Sequence, residues 1–172
     1  VTGGRMMKAR IALAVIAVLA GLAVPPVVAG AGATGVAALD ATFEGSFTLS
    51  GPDRSPIFKV TESGGGSAVG LPSGSFSYEL WVVQDLRRRP SGCGPNSSTG
   101  HHGMATLAFD DGDLRLRRVA GEACFSFPFV IGTEEWAAAG GSGPYRTSNV
   151  GIRRTFRGDV RTGTVTGRWL SG

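Results

Sequence analysis

Beyond residue 40 the chain is organised by alternation: large apolar residues recur at every second position with small or polar ones between them, the pattern of half-buried strands. No stretch after the N-terminal segment keeps helical spacing. Thr42 to Ser50 places Phe43, Phe47 and Leu49 on one face and Glu44, Ser46 and Thr48 on the other. Ile57 to Glu62 predicts a second, short strand with Phe58 and Val60 inward, and Gly64-Gly65-Gly66 reads as the turn that breaks it. Ser75 to Gln84 aligns Phe76, Tyr78, Leu80 and Val82 inward. Its outer face turns apolar at Trp81 and Val83, which predicts cover by a loop or a second subunit.

Met104 to Val119 predicts a hairpin turning at Asp111-Gly112, a pair that tolerates the positive φ of a type I′ turn. Pairing outward from it sets Phe109 opposite Leu114 and Leu107 opposite Leu116, and leaves Arg115 and Arg117 in water. Ala123 to Val130 predicts one strand with Phe125, Phe127 and Phe129 on a common face; Pro128, lacking an N–H, marks an edge or a bulge. Gly151 to Gly158 and Thr164 to Leu170, joined around Arg161-Thr162-Gly163, complete the set with Ile152, Phe156, Val165 and Trp169. The expected fold is therefore all-β, a single antiparallel barrel of about eight strands, because closure removes exposed edges and side chains just fill such an interior.

Ahead of this domain, Arg5, Lys8 and Arg10 precede the apolar run Ile11 to Val24 and the pair Pro25-Pro26, the three-part form of a secretory signal. A run of 14 residues spans only ~21 Å of a ~30 Å hydrocarbon core, so a cleaved signal is favoured over an anchor. Cleavage is expected after Ala29, Ala31 or Ala33, with Met6 or Met7 as initiator, giving a leader over 1–33 and one domain over 34–172. The 172-residue chain carries 17 basic and 13 acidic side chains, and removing the leader leaves 14 against 13. Such a balance argues against nucleic-acid binding, which needs a clustered basic face. Secretion without membrane attachment follows.

In an oxidising compartment Cys93 and Cys124 read as one disulfide. Running the strands up and down brings both to one end of the barrel, where the bridge pins the long loop between Asp85 and Gly103.

Candidate chemistry is sparse. His101-His102 beside Met104 and Cys93 has the donor types for copper or zinc, but adjacent histidines on an extended chain diverge and no further ligand has a recognisable spacing. No metal site and no cofactor is expected. Glu134-Glu135 before Trp136 is expected in a loop or single helical turn. Arg87-Arg88-Arg89 reads as a solvated loop, and Asn96-Ser97-Ser98 matches the glycosylation acceptor pattern. G-x-S-x-G, H-E-x-x-H and a phosphate loop are all absent from the sequence.

The stretch Gly132-Thr133-Glu134-Glu135-Trp136-Ala137-Ala138-Ala139-Gly140-Gly141-Ser142-Gly143 resembles the G-T-G-x-F-x-x-A-x-G-S-G pattern of uncharacterised secreted actinobacterial proteins, themselves similar to the allene oxide cyclase and dirigent barrels. Glu134 stands where the pattern has glycine and Trp136 where it has phenylalanine. The resemblance implies an eight-stranded barrel able to admit an apolar small molecule, often as a dimer or trimer. It supplies no catalytic residue.

The expected function is non-catalytic binding of an apolar small molecule or a partner. Candidate lining residues are Phe47, Phe76, Tyr78, Leu107, Phe109, Phe125, Phe127 and Trp169. An alternative is a cyclase or isomerase working inside the barrel through Tyr78 or Glu79, for which a buried inward carboxylate would be the mark. A further alternative is a cell-surface interaction protein or homo-oligomer using Trp81 and Val83.

Overall fold

A computed structural model describes residues 38–69 and 74–172; the apolar leader, its cleavage region and residue 34 lie outside the described residues. Eight strands follow one another: β1 (Asp40–Ser50), β2 (Ile57–Val69), β3 (Ser75–Asp85), β4 (Ser98–Phe109), β5 (Gly112–Ser126), β6 (Phe129–Gly141), β7 (Gly151–Asp159) and β8 (Thr164–Ser171). Each pairs antiparallel with the next, and β8 returns to β1, with Ala41 opposite Trp169, to close the barrel. Closure leaves no strand edge to template aggregation.

The inward phase of each strand matches the apolar phase of its sequence. Phe43, Tyr78, Leu107, Leu114, Leu116 and Trp169 are buried, and each large apolar side chain so removed from water stabilises the fold by about 1.5–3 kcal/mol. Large inward residues are seated over inward glycines. The Phe43 ring lies where a Cβ at Gly167 would be, the Phe156 ring where one at Gly132 would be, and the Phe76 ring against Gly66. An eight-stranded interior is too narrow for bulky side chains at every position, so glycine supplies the space.

This accounts for the first correction. Gly64, Gly65 and Gly66 do not break β2, which runs unbroken from Ile57 to Val69. They lie in mid-strand, paired with Gly45, Glu44 and Phe43 of β1, and Tyr78 Oη occupies the space beside Gly45.

A second correction concerns Ala123 to Val130, which is two strands joined by a tight turn. β5 ends at Ser126, paired with Phe129, and Phe127-Pro128, with a cis bond, forms the turn. Only Phe125 of the three phenylalanines faces inward. Phe127 is 72% exposed at the turn, and the Phe129 ring lies outside, 4.0 Å from the Arg157 guanidinium.

The β4–β5 hairpin keeps its expected faces with a register shifted by two. Phe109 pairs with Gly112 and Leu107 with Leu114, so Asp110-Asp111 forms the turn. An even shift preserves the face of every side chain, which is why the hydrophobic pattern alone did not distinguish the two registers. Gly112, at φ 151°, lies against Ser142 and Gly143, and the Asp113 N–H donates to Ser142 Oγ at 2.9 Å.

One end of the barrel is closed by packing. Tyr145, in the 3-10 turn Gly143–Tyr145, stacks on Phe109 at 4.9 Å and donates its hydroxyl to Asp111 Oδ1 at 3.0 Å. At the other end the Cys93–Cys124 disulfide, with a Cα–Cα separation of 5.2 Å, ties the β3–β4 loop to the outer face of β5. The Phe125 N–H donates to the buried Ser97 Oγ at 2.9 Å and fastens the same loop.

Candidate functional site

The half of the barrel nearest the disulfide is not filled. A cavity of about 410 Å³ reaches the mouth between the loops around Pro52 and Asn96. Its walls are apolar, built from Phe47, Phe58, Val60, Phe125, Val130 and Phe156. Its floor is charged and polar: Glu62, Gln84, Ser98, Glu134 and Arg154. An apolar chamber with a few convergent polar groups, of a volume within the ~300–1,000 Å³ range, is the usual form of a small-molecule site.

Strand alternation puts the floor in place. Glu62 follows Phe58 and Val60 on the inward phase of β2; Arg154 lies between Ile152 and Phe156 on β7; Glu134 precedes Trp136 on β6. The expected loop or helical turn at Glu134-Glu135 is instead the middle of β6, which sends Glu134 into the interior and Glu135 to the surface, 4.0 Å from Arg153.

Arg154 bridges the two buried carboxylates. Its Nη1 donates to Glu134 Oε2 at 2.8 Å, and its Nη2 donates to Glu62 Oε1. The same Glu62 oxygen accepts from Tyr78 Oη at 2.7 Å, and Glu134 Oε2 accepts from Trp136 Nε1 at 3.3 Å. The Arg154 guanidinium also lies 4.7 Å from the ring centres of Phe43 and Phe156. Burial opposes the charge on Arg154, but Glu62 and Glu134 outweigh it and hold its pKa above the ordinary arginine value. Burial, reinforced by the Glu62 charge and hydrogen bond, drives the Tyr78 phenol well above its ordinary value.

Arg118 completes the charged layer from β5. Its Nη2 lies 3.1 Å from Glu134 Oε1 with both side chains buried, yet none of its nitrogens has an aligned hydrogen bond among the described residues. Burial lowers its pKa from the ordinary value, with Glu134 acting in the opposite sense.

The candidate lining residues divide. Phe47 and Phe125 line the cavity. Phe76, Tyr78, Leu107, Phe109 and Trp169 belong to the packed core. Phe127 is outside altogether, a correction that follows from the turn at Pro128. Glu79 is exposed on the outer face, and the inward carboxylates are Glu62 and Glu134. The spacing did carry a signal for them, since each charged residue continues the apolar phase of its strand: Phe58–Val60–Glu62, Leu114–Leu116–Arg118 and Ile152–Arg154–Phe156.

The remaining motifs are peripheral. β4 gains one residue between the inward positions Gly100 and Gly103, so His101 and His102 are both exposed. Cys93 is consumed by the disulfide, and among the described residues no three His, Cys, Asp or Glu side chains gather as a metal set. Arg87 forks onto Asp85 at 2.9 and 2.8 Å, and Arg88 and Arg89 are exposed beside it. On the outer wall Trp81 pairs with Met104, and the Lys59 ammonium lies 5.2 Å from its ring. Comparison with known proteins gave no matching family model, no matching curated protein and no matching solved structure.

Proposed function

We propose that the protein is a secreted barrel that binds an apolar small molecule in the cavity at its disulfide end. The observation carrying this reading is the contrast between the two halves of one interior. Trp169, Trp136 and Phe109 pack one half, whereas Phe47, Phe125 and Phe156 surround about 410 Å³ of open space in the other. A barrel of this size has side chains enough to fill itself, so a chamber walled by rings and floored by paired charges is shaped for an occupant. The signal-like leader and the disulfide support export to an oxidising compartment.

A fluorophore whose emission rises in apolar surroundings tests the reading. It is expected to saturate at one site per oxidised protein and to lose that site in Val130→Trp, which fills the chamber. Failure to saturate, or equal binding by a folded Val130→Trp, overturns it.

A second reading is favoured by one observation. Glu62 and Glu134 are buried carboxylates facing the chamber, the feature expected of a barrel-interior isomerase or cyclase. In that case Tyr78, Glu62 and Glu134 supply the acid–base groups. Recovering a bound ligand chemically altered by the wild type and unaltered by Glu62→Gln would favour it over simple binding.

A further inference from the structure

Although its Nη2 lies 3.1 Å from Glu134 Oε1, Arg118 is a buried group that its contacts among the described residues leave incomplete. Its residue exposure is 2%, and Nε, Nη1 and Nη2 all lack a hydrogen bond among the described residues. Buried guanidinium donors are ordinarily satisfied, and leaving them unmade is costly. The fold nevertheless makes specific room for this group. A Cβ on Gly121 would overlap the guanidinium, and one on Gly100 would lie 2.6 Å from Nη1. A β5 bulge between Arg118 and Ala120 makes Gly121 the next inward position toward the mouth, followed by Ala123 on the cavity wall. The guanidinium therefore extends over Gly121 toward the chamber. Arg118 is not itself a lining residue of the chamber; Gln84 and Ser98, joined by a 3.2 Å hydrogen bond, line the floor. A Cβ on Gly100 would touch both Arg118 Nη1 and Gln84 Oε1, which places the carboxamide beside the guanidinium.

The charge of the layer decides what such donors take. Glu62 and Glu134 face Arg118 and Arg154, two acidic groups against two basic, so the layer is balanced before any ligand arrives. A ligand anion would add an unmatched buried charge next to two carboxylates. A neutral oxygen acceptor satisfies the Arg118 donors and leaves the balance intact.

Building on the binding reading above, we propose that Arg118 anchors the ligand through a neutral carbonyl oxygen, as of a ketone, aldehyde or ester, with Gln84 turning aside to admit it. The ligand's apolar remainder lies against Phe47, Phe125 and Phe156. A hydrogen bond to a charged donor sets the expected selectivity at about tenfold or more over an otherwise identical alkane.

The test compares decane, 2-decanone and decanoate as displacers of the apolar fluorophore, with oxidised wild type and Arg118→Met. The expected order in the wild type is 2-decanone ahead of both others, and in Arg118→Met the ketone falls to the level of decane while decane is unchanged. Equal binding of 2-decanone and decane by the wild type overturns the anchor but leaves the chamber reading standing. Tighter decanoate overturns the neutral-acceptor assignment. If no probe displaces the fluorophore, chamber and anchor fall together. Should Arg118→Met not fold, the Arg118 Nε–H resonance of the wild type gives the answer: it is expected to shift with 2-decanone and stay in place with decane, and a resonance indifferent to both overturns the proposal.

Discussion

Arg154 and Glu134 meet inside the barrel, Nη1 donating to Oε2 at 2.8 Å, although they are separated by a hairpin and reach the interior from adjacent strands. The neighbouring contact from Arg154 to Glu62 of β2 spans the barrel interior. One guanidinium thus holds two carboxylates that no single strand pair could bring together.

Removing that guanidinium is expected to be costly. Arg154→Met leaves Glu62 and Glu134 buried without their shared partner, and loss of one member of a buried ion pair costs about 3–5 kcal/mol. Equilibrium urea unfolding of the oxidised protein measures it. A loss below about 1 kcal/mol would mean that water reaches the layer and screens it.

The disulfide closes a separation of 31 residues. On the chain-entropy account, Cys93→Ala with Cys124→Ala lowers stability by about 3.5 kcal/mol. The loop it pins forms part of the chamber's rim through Leu86 and Asn96, so reduction should also weaken fluorophore binding. Unchanged binding after reduction would show that Ser97 holds the loop by itself.

Alkaline pH should destabilise the fold through its two tyrosines, Tyr78 and Tyr145. Burial, with help from Asp111, raises Tyr145 from 10.0 to about 12, and Tyr78 is raised further by burial and Glu62. The folded state therefore keeps its phenolic protons where the unfolded chain has lost them. The stability linked to these groups is complete below pH 10 and falls as pH rises from 10 toward 12. Absorbance at 295 nm should stay flat past pH 10 in the folded protein and rise near pH 10 in urea; a folded-state titration at pH 10 would refute the burial argument.

At Gly121 even one methyl group is expected to matter. Gly121→Ala places a Cβ in the space held by the Arg118 guanidinium, and overpacking of this kind costs about 1–3 kcal/mol. The control is Phe127→Ser, on a side chain 72% exposed, which should stay within about 0.5 kcal/mol of wild type. Thermal unfolding of both variants makes the comparison.

Much of the fold is legible in the sequence because the information is local. The phase of β1, β3, β7 and β8 follows from alternation, and Gly163 at φ 67° marks the last turn. The failures are physical as well. Gly64 to Gly66 looks like a turn because glycine is permissive, but here glycine supplies room for Phe76 and for the close approach of β1. Phe127 has the right parity for an inward strand residue and loses it because Pro128 ends the strand. Glu134-Glu135 looks like a loop or helical turn because two adjacent carboxylates suit solvent, while the alternation of Glu134 with Gly132 and Trp136 already points it inward.

The sequence by itself determined which residues alternate, where the last turn falls and that two cysteines meet at one end. These depend on period-two geometry and chain direction, which a short window contains. Only the tertiary structure decided that Glu62, Arg118, Glu134 and Arg154 form one layer and that a chamber lies above it. The reason is closure: pairing β8 with β1 fixes the stagger of all eight strands, and that stagger sets which inward positions share a level across the interior.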